Sequence, residues 1–348
     1  MLRITSIGLL VLLLLTGCGS PTPSAAPAAA PPSAPPAAPP AAAPAAATPV
    51  TIRMGYVPVI IFAPMYVAVE RGYFAEENIT VELTPFQSTN DAVVQLGAGN
   101  FEVAIAGGNA GVFNALQRGL ALTVVAPMHR ESPPLATPLI ISAKRTGEIQ
   151  SVADLRGKTL GVNGNGTAIE YWLAQALAQG GVGIDEVTIQ AVPFPAMGAA
   201  LENGTLDGAV MSEPLVTINR DQGIVEILSD DFLDGFTATY VFVNSDWLAQ
   251  NEDVTRRFLR AYLRAVRDLQ GDYMNAEVAA IIEKYTQVPA AVIERSALSY
   301  FDASGTIPVA DLETLQQFFL DRGSLEYTAP LDLQPFINTT LWAEVAAE

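Results

Sequence analysis

The residues of this chain best placed to do chemistry are small and polar, and they fall where a β-type run gives way to a helical one. They are Ser88-Thr89, Gly107-Gly108-Asn109, Asn163 through Thr167, and Ser212-Glu213 ahead of Pro214. Backbone N–H groups at such helix starts have no partner inside the helix, so they donate to oxygen-rich ligands without help from side-chain charge. The chemistry that follows is non-covalent recognition. Covalent and metal chemistry have little to work with: one His and one Cys in 348 residues leave no disulfide framework and no Cys/His zinc site. Neither a G-x-S-x-G elbow nor an H-E-x-x-H pair occurs. Gly157-Lys158-Thr159 has the look of the end of a phosphate-binding loop, but Val152 stands where the first glycine belongs. Gly164-Asn165-Gly166 lacks the third glycine of the dinucleotide fingerprint, Ile169 standing there. No cofactor and no metal are expected. His129, beside Arg130 after a strand-like run at 120–126, either reaches the cleft or is a lone surface histidine, and the second is the expectation.

The elements that must position these residues alternate. Strand-like runs at 51–56, 79–86, 102–106, 158–162, 187–192 and 206–211 each lead through turn residues into a helical stretch, which is an α/β signature. Pro64 and Pro214 sit where a first helical position tolerates proline, and Gly72 marks a helix stop. Two apolar extended runs, 137–143 and 237–244, interrupt this rhythm and read as crossings between two bodies. The expected division is a first lobe of residues 49–143 and 237–348, closed by C-terminal helices, and a second lobe of residues 144–236, joined by a two-strand hinge. Such an arrangement turns the carboxyl ends of the strands toward a shared cleft, where open α/β sheets bind ligands.

The amino end has a different composition. Residues 1–17 begin with Arg3 and continue as an apolar stretch from Ile4 to Leu15, too short to span a bilayer, and they lead into Leu15-Thr16-Gly17-Cys18. This pattern is similar to a bacterial lipobox, which makes Cys18 a lipidation site and the first residue of the mature chain. Residues 18–48 are then a tether: Gly19 to Thr48 holds ten Pro and fourteen Ala and no charge. Proline-rich chain favours an extended form at roughly 3.1 Å per residue, giving a reach of about 90 Å at most. The charge is −18, becoming −19 once Arg3 is removed with the leader. An acidic chain of this kind, with a pI near 4.4, offers nothing to a phosphate backbone, so no nucleic acid is expected as a partner.

Several segments, in order along the folded body, carry a family resemblance. Residues 59–68 (VIIFAPMYVA) and 70–79 (ERGYFAEENI), Asp91 to Leu96, Asp154 to Lys158, Leu206 to Pro214 and Arg257 to Tyr262 resemble the substrate-binding proteins of ABC importers in the pyrimidine-precursor, sulfonate, taurine and nitrate group. The resemblance implies a type II periplasmic-binding-protein fold and a monomer that binds a small molecule and delivers it to a permease driven by a separate ATPase, held by its lipid at the extracytoplasmic face of the cell membrane. It also implies binding positions. Phe62 matches a region where an aromatic side chain stacks on a flat ring, and it is equally a candidate for the core. Ser88 and Thr89 either donate to ligand or cap a helix. Gly108 and Asn109 form a turn that allows close backbone approach, and Asn165, Gly166 and Thr167 are the leading helix-start donors. Glu213 matches a carboxylate that accepts ring N–H bonds, or else it serves the first turn of its own helix. Candidate cleft segments hold aromatics, Asn, Thr, Ser and Glu213 and no clear cation, so riboflavin is the expected ligand and a thiamine pyrimidine the next. Alkanesulfonate, taurine or nitrate is the alternative ligand class. An enzyme resembling the yeast pyrimidine synthase that shares the family fold is the alternative of another kind; that enzyme depends on a cysteine-rich motif and a reacting histidine, and no cysteine stands here outside Cys18.

Overall fold

A computed structural model describes residues 49–87 and 89–348. The leader, Cys18, the tether and Ser88 lie outside the described residues. Ten strands are described: β1 Val50–Tyr56, β2 Ile79–Pro85, β3 Val103–Gly107, β4 Leu122–Arg130, β5 Leu139–Ser142, β6 Thr159–Val162, β7 Thr188–Ala191, β8 Gly208–Val210, β9 Val225–Ser229 and β10 Thr237–Asn244. They form two five-stranded sheets, one in the order β2-β1-β3-β10-β4 and the other β7-β6-β8-β5-β9.

The two sheets share one plan. In the first, β1 pairs in parallel with β2 and β3, and β10 lies antiparallel between β3 and β4. In the second, β6 pairs in parallel with β7 and β8, and β5 lies antiparallel between β8 and β9. Each antiparallel strand belongs to one of the two crossings. β10 belongs to the first sheet, as the sequence predicts, but β5 belongs to the second. The expected lobe boundary at residue 143 is therefore displaced: the change of sheet falls between Arg130 and Leu139. The sequence pattern misses this because both crossings are apolar, and a buried strand flanked on both sides looks alike in either sheet.

Burial explains the sequence pattern of the strands. β3 is buried at every position and reads as an unbroken apolar run, whereas the edge strand β2 alternates. The crossings run side by side as a hinge: Glu131 N donates to Phe236 O at 3.0 Å, Gly235 N to Glu131 O at 2.8 Å, and Leu135 N to Asp230 O at 2.8 Å. C-terminal helices back the first sheet. Glu252–Asp268 is strongly amphipathic; its buried face stacks Phe258 on Phe74 at 5.0 Å between centroids, and Arg260 on its outer side pairs with Glu77 at 2.9 Å. From this C-terminal part Arg295 reaches Asp221, and Arg322 reaches Asp185. No helix among the described residues is long and apolar enough to cross a membrane.

Candidate ligand cleft

Four strand ends meet between the sheets. β1 runs into the loop Val57–Phe62, β3 into Gly107–Asn109, β6 into Asn163–Thr167 and β8 into Met211–Pro214, and all except β1 lead directly into a helix turn aimed at the same space. Apolar walls come from Ile61, Phe62, Ile169, Trp172 and Phe194. Neutral polar groups come from Thr89, Asn109, Thr137, Asn163, Thr167, Ser212 and Thr239, with His129 among them. Among the described residues, no Lys or Arg lines the space. The cleft is narrow, with about 460 Å³ between its walls, mouth included.

The rim residues mostly face one another. Asn109 is buried and bridges the lobes: its Oδ1 accepts from Ala168 N at 2.9 Å, while its Nδ2 lies 3.0 Å from both Thr89 Oγ1 and Asn90 Oδ1. Beside it, Ala110 N donates to Gly166 O at 2.9 Å and Asn90 Nδ2 to Asn165 O at 3.5 Å. Gly166 N donates to the Glu170 carboxylate at 2.6 Å. Burial pushes the Glu170 carboxyl up, and that N–H bond offsets part of the shift. Two backbone donors at the start of the helix Ala168–Gln179 are thus already engaged by the protein itself. Thr137 and Ser212 exchange a hydroxyl hydrogen bond at 2.9 Å on the hinge side.

The predicted positions fare unequally. Phe62, Thr89, Asn109 and Thr167 line the cleft, and Phe62 is also fully buried, so it serves wall and core together. The Thr167 hydroxyl points back to Asn163 Oδ1 at 2.7 Å and Gly164 O at 2.9 Å. Asn165 and Gly166 stand at the rim, outside the lining, and hold the other lobe through their carbonyls. Gly108 faces away. A Cβ there would lie 2.7 Å from Leu315 Cδ1, so its glycine admits the helix Val309–Asp321 and not a ligand. Glu213 also faces away: it accepts from Thr217 N at 2.9 Å, Thr217 Oγ1 at 2.8 Å and Ala297 N at 3.5 Å. Burial pushes its carboxyl up, and these bonds offset part of that. The helix-serving alternative for Glu213 is the one the structure adopts. Tyr66, close to Phe62 in sequence, is core: it stacks on Tyr285 at 4.4 Å and its hydroxyl lies 3.1 Å from Val57 O.

Other lining residues escape sequence reasoning. His129 is no surface residue; β4 continues to Arg130 and carries the imidazole inward, 3 % exposed. Trp172 lies one helical turn beyond Ala168, the position that the donor loop feeds, and that spacing was the available signal. Thr239 is a buried hydroxyl in β10, which also holds Thr237 and Tyr240, so the sequence pattern alone does not single it out.

Comparison with known proteins follows this geometry. A riboflavin-binding protein, RibY, of Chloroflexus aurantiacus is 33% identical over 273 residues, covering 77% of this chain and 74% of that protein. A 4-amino-5-hydroxymethyl-2-methylpyrimidine phosphate synthase of Aspergillus parasiticus is 26% identical over 264 residues, covering 69% of this chain and 72% of its own length. Among solved structures, the alkanesulfonate-binding protein SsuA of Xanthomonas axonopodis pv. citri superposes with a TM-score of 0.70 at 17% identity, over 84% of this chain and 99% of that one. The two-lobed α/β fold is therefore that of the periplasmic binding proteins. The family model described as NMT1/THI5 like matches residues 60–272, more than half of the sequence, and the chain belongs to that family.

Proposed function

We propose that this chain is the solute-binding component of an ABC importer, and that it captures a neutral, flat heteroaromatic vitamin, riboflavin first and a thiamine pyrimidine precursor next. It hands the ligand to a membrane permease as a monomer, while lipid on Cys18 keeps it at the extracytoplasmic face of the cell membrane. The observation that carries the ligand class is the lining of the cleft: aromatic rings and neutral hydrogen-bonding groups in a narrow space, with no cation. A planar ring is the shape such a space favours, and stacking plus a few fixed polar groups is how such sites bind. The similarity to a riboflavin-binding protein supports the same choice.

An anion such as a sulfonate would meet the Glu170 carboxylate and the Asn109 carbonyl at the helix start that ought to receive it. Catalysis is the second reading: among the described lining residues there is no cysteine or lysine, and the sequence has no cysteine outside Cys18. In this reading ligand enters when the lobes part at the hinge, and closure then excludes water from the ring. Calorimetric titration of the chain without its leader and lipid tests the reading, against riboflavin, an aminopyrimidine, taurine and nitrate. Saturable one-to-one binding of riboflavin is expected. Binding of taurine or nitrate with no response to the first two overturns the ligand class, and product formation from any of them overturns the carrier reading.

A further inference from the structure

The cleft wall contains a hydrogen-bonded chain that the function above does not use. His129 Nε2 lies 3.3 Å from Glu131 Oε1, and His129 Nδ1 lies 2.6 Å from Thr239 Oγ1. Trp172 Nε1 donates to the same Glu131 oxygen at 3.3 Å, across the two lobes. His129, Trp172 and Thr239 line the cleft, and Glu131 stands behind them, 1 % exposed.

The direction of each proton follows from chemistry. An indole N–H can only donate, so Glu131 Oε1 is acting as an acceptor, and a second contact to that oxygen is met by an N–H on His129 Nε2. A neutral imidazole carries one such hydrogen, which leaves Nδ1 bare. The 2.6 Å contact at Nδ1 then needs a proton from the other side, and only the Thr239 hydroxyl can supply it. Having given its hydrogen inward, the Thr239 oxygen can only accept. The backbone N–H of His129 takes one of its acceptor directions at 3.3 Å.

We propose that Glu131, acting through His129, locks the Thr239 hydroxyl so that its oxygen faces the cleft as a hydrogen-bond acceptor, and that this selects ligands presenting an N–H or O–H donor at that wall. Glu131 is a positioning residue here, and Thr239 the one that reads the ligand. The identity of the donor rests on the proposed ligand: an imide-type ring N–H or a polyol hydroxyl of a flavin. The direction of the relay does not depend on it.

The chain has one histidine, so labelling histidine with nitrogen-15 gives a single imidazole signal. At neutral pH the wild type is expected to show the hydrogen on Nε2 and a bare Nδ1, and Glu131→Leu, which removes the acceptor, to lose that preference without a change in circular dichroism. Hydrogen on Nδ1, or on both nitrogens, in the wild type overturns the relay. For selection, Thr239→Val removes the oxygen while keeping the side-chain shape. It is expected to weaken riboflavin by about ten-fold, the loss of one buried hydrogen bond, and to leave either N3-methylriboflavin or lumiflavin, whichever lacks the donor, within about two-fold of its wild-type affinity. Equal weakening of all three overturns the selection. A wild type that binds no flavin overturns the ligand reading instead, and the imidazole signal still decides the relay.

Discussion

The two lobes have the same strand order and the same antiparallel insertion, yet their rims do different work. In the first lobe the turn after β3 is held from behind: the helix Val309–Asp321 presses Leu312 and Leu315 against Gly108, so only Gly107 and Asn109 face the cleft. In the second lobe the turn after β6 packs against the first lobe's rim, Gly166 beside Ala110, and Thr167, Ile169 and Trp172 line the cleft. The turn after β8 is drawn away again, because Ala297 from the C-terminal segment reaches Glu213. The lesson is that topology brings a strand end to the cleft, while whatever packs behind that end decides which of its side chains a ligand meets.

The contrast can be broken most sharply at Trp172. Trp172→Ala removes a fully buried ring between the lobes, and it is expected to cost about 3–5 kcal/mol in denaturant unfolding and to abolish riboflavin binding. Trp172→Phe separates the two effects, retaining the fold while weakening the ligand in a fluorescence titration. Retained riboflavin affinity in the alanine variant would place the ring site elsewhere.

Two glycines compare the rims more finely. Gly108→Ala forces a methyl to 2.7 Å from Leu315, an overpacking expected to cost about 1–3 kcal/mol with riboflavin affinity unchanged. Gly166→Ala puts a side chain at φ 67° and 3.0 Å from Ala110 of the other lobe, so it should weaken ligand binding as well as cost about 1–2 kcal/mol. Thermal melts beside titrations read both, and an affinity loss in the first variant would contradict the assignment of Gly108 to packing.

Asn109→Ala leaves the buried Ala168 N–H without its acceptor, for about 1–3 kcal/mol. Because that bond joins the lobes, the ligand-free variant should show a larger radius of gyration in X-ray scattering than the wild type. Equal radii would mean that closure rests on the other rim bonds.

The smallest effect is a dependence on pH. Glu213 is raised above its ordinary 4.5 by burial, so the folded chain holds its proton at a pH where the unfolded chain has released it. Its contribution to stability is fully present below the unfolded value and is lost as pH rises through the folded one. Glu213→Gln should flatten that part of the stability profile from about pH 4.5 upward, as read by urea unfolding at several pH values, and should leave riboflavin affinity unchanged. An unaltered profile would remove Glu213 as its source.

Much of the cleft's framework is legible in the sequence. Strand and helix periods, proline at helix starts and turn glycines locate the elements to within a few residues, because these signals act through the local backbone. Phe62, Thr89, Asn109 and Thr167 line the cleft; the last three are marked by their place between a strand and a helix, and Phe62 by the resemblance. Gly108 packs against a helix and Glu213 takes the helix-serving of its two readings for a common reason: their partners, Leu315 and Ala297, lie far along the chain. His129 was misread because β4 continues beyond the apolar run, with Pro127 and Met128 between.

By itself, then, the sequence determined the α/β alternation, the crossings between two lobes and the polar turns at strand ends, since each is written in short-range spacing. The tertiary structure alone decided that β5 joins the second sheet, that Glu213 serves the protein, and that His129, Trp172 and Thr239 meet at one wall. Those outcomes depend on side chains separated by many residues competing for the same buried volume and the same hydrogen bonds, and no local pattern records which of them wins.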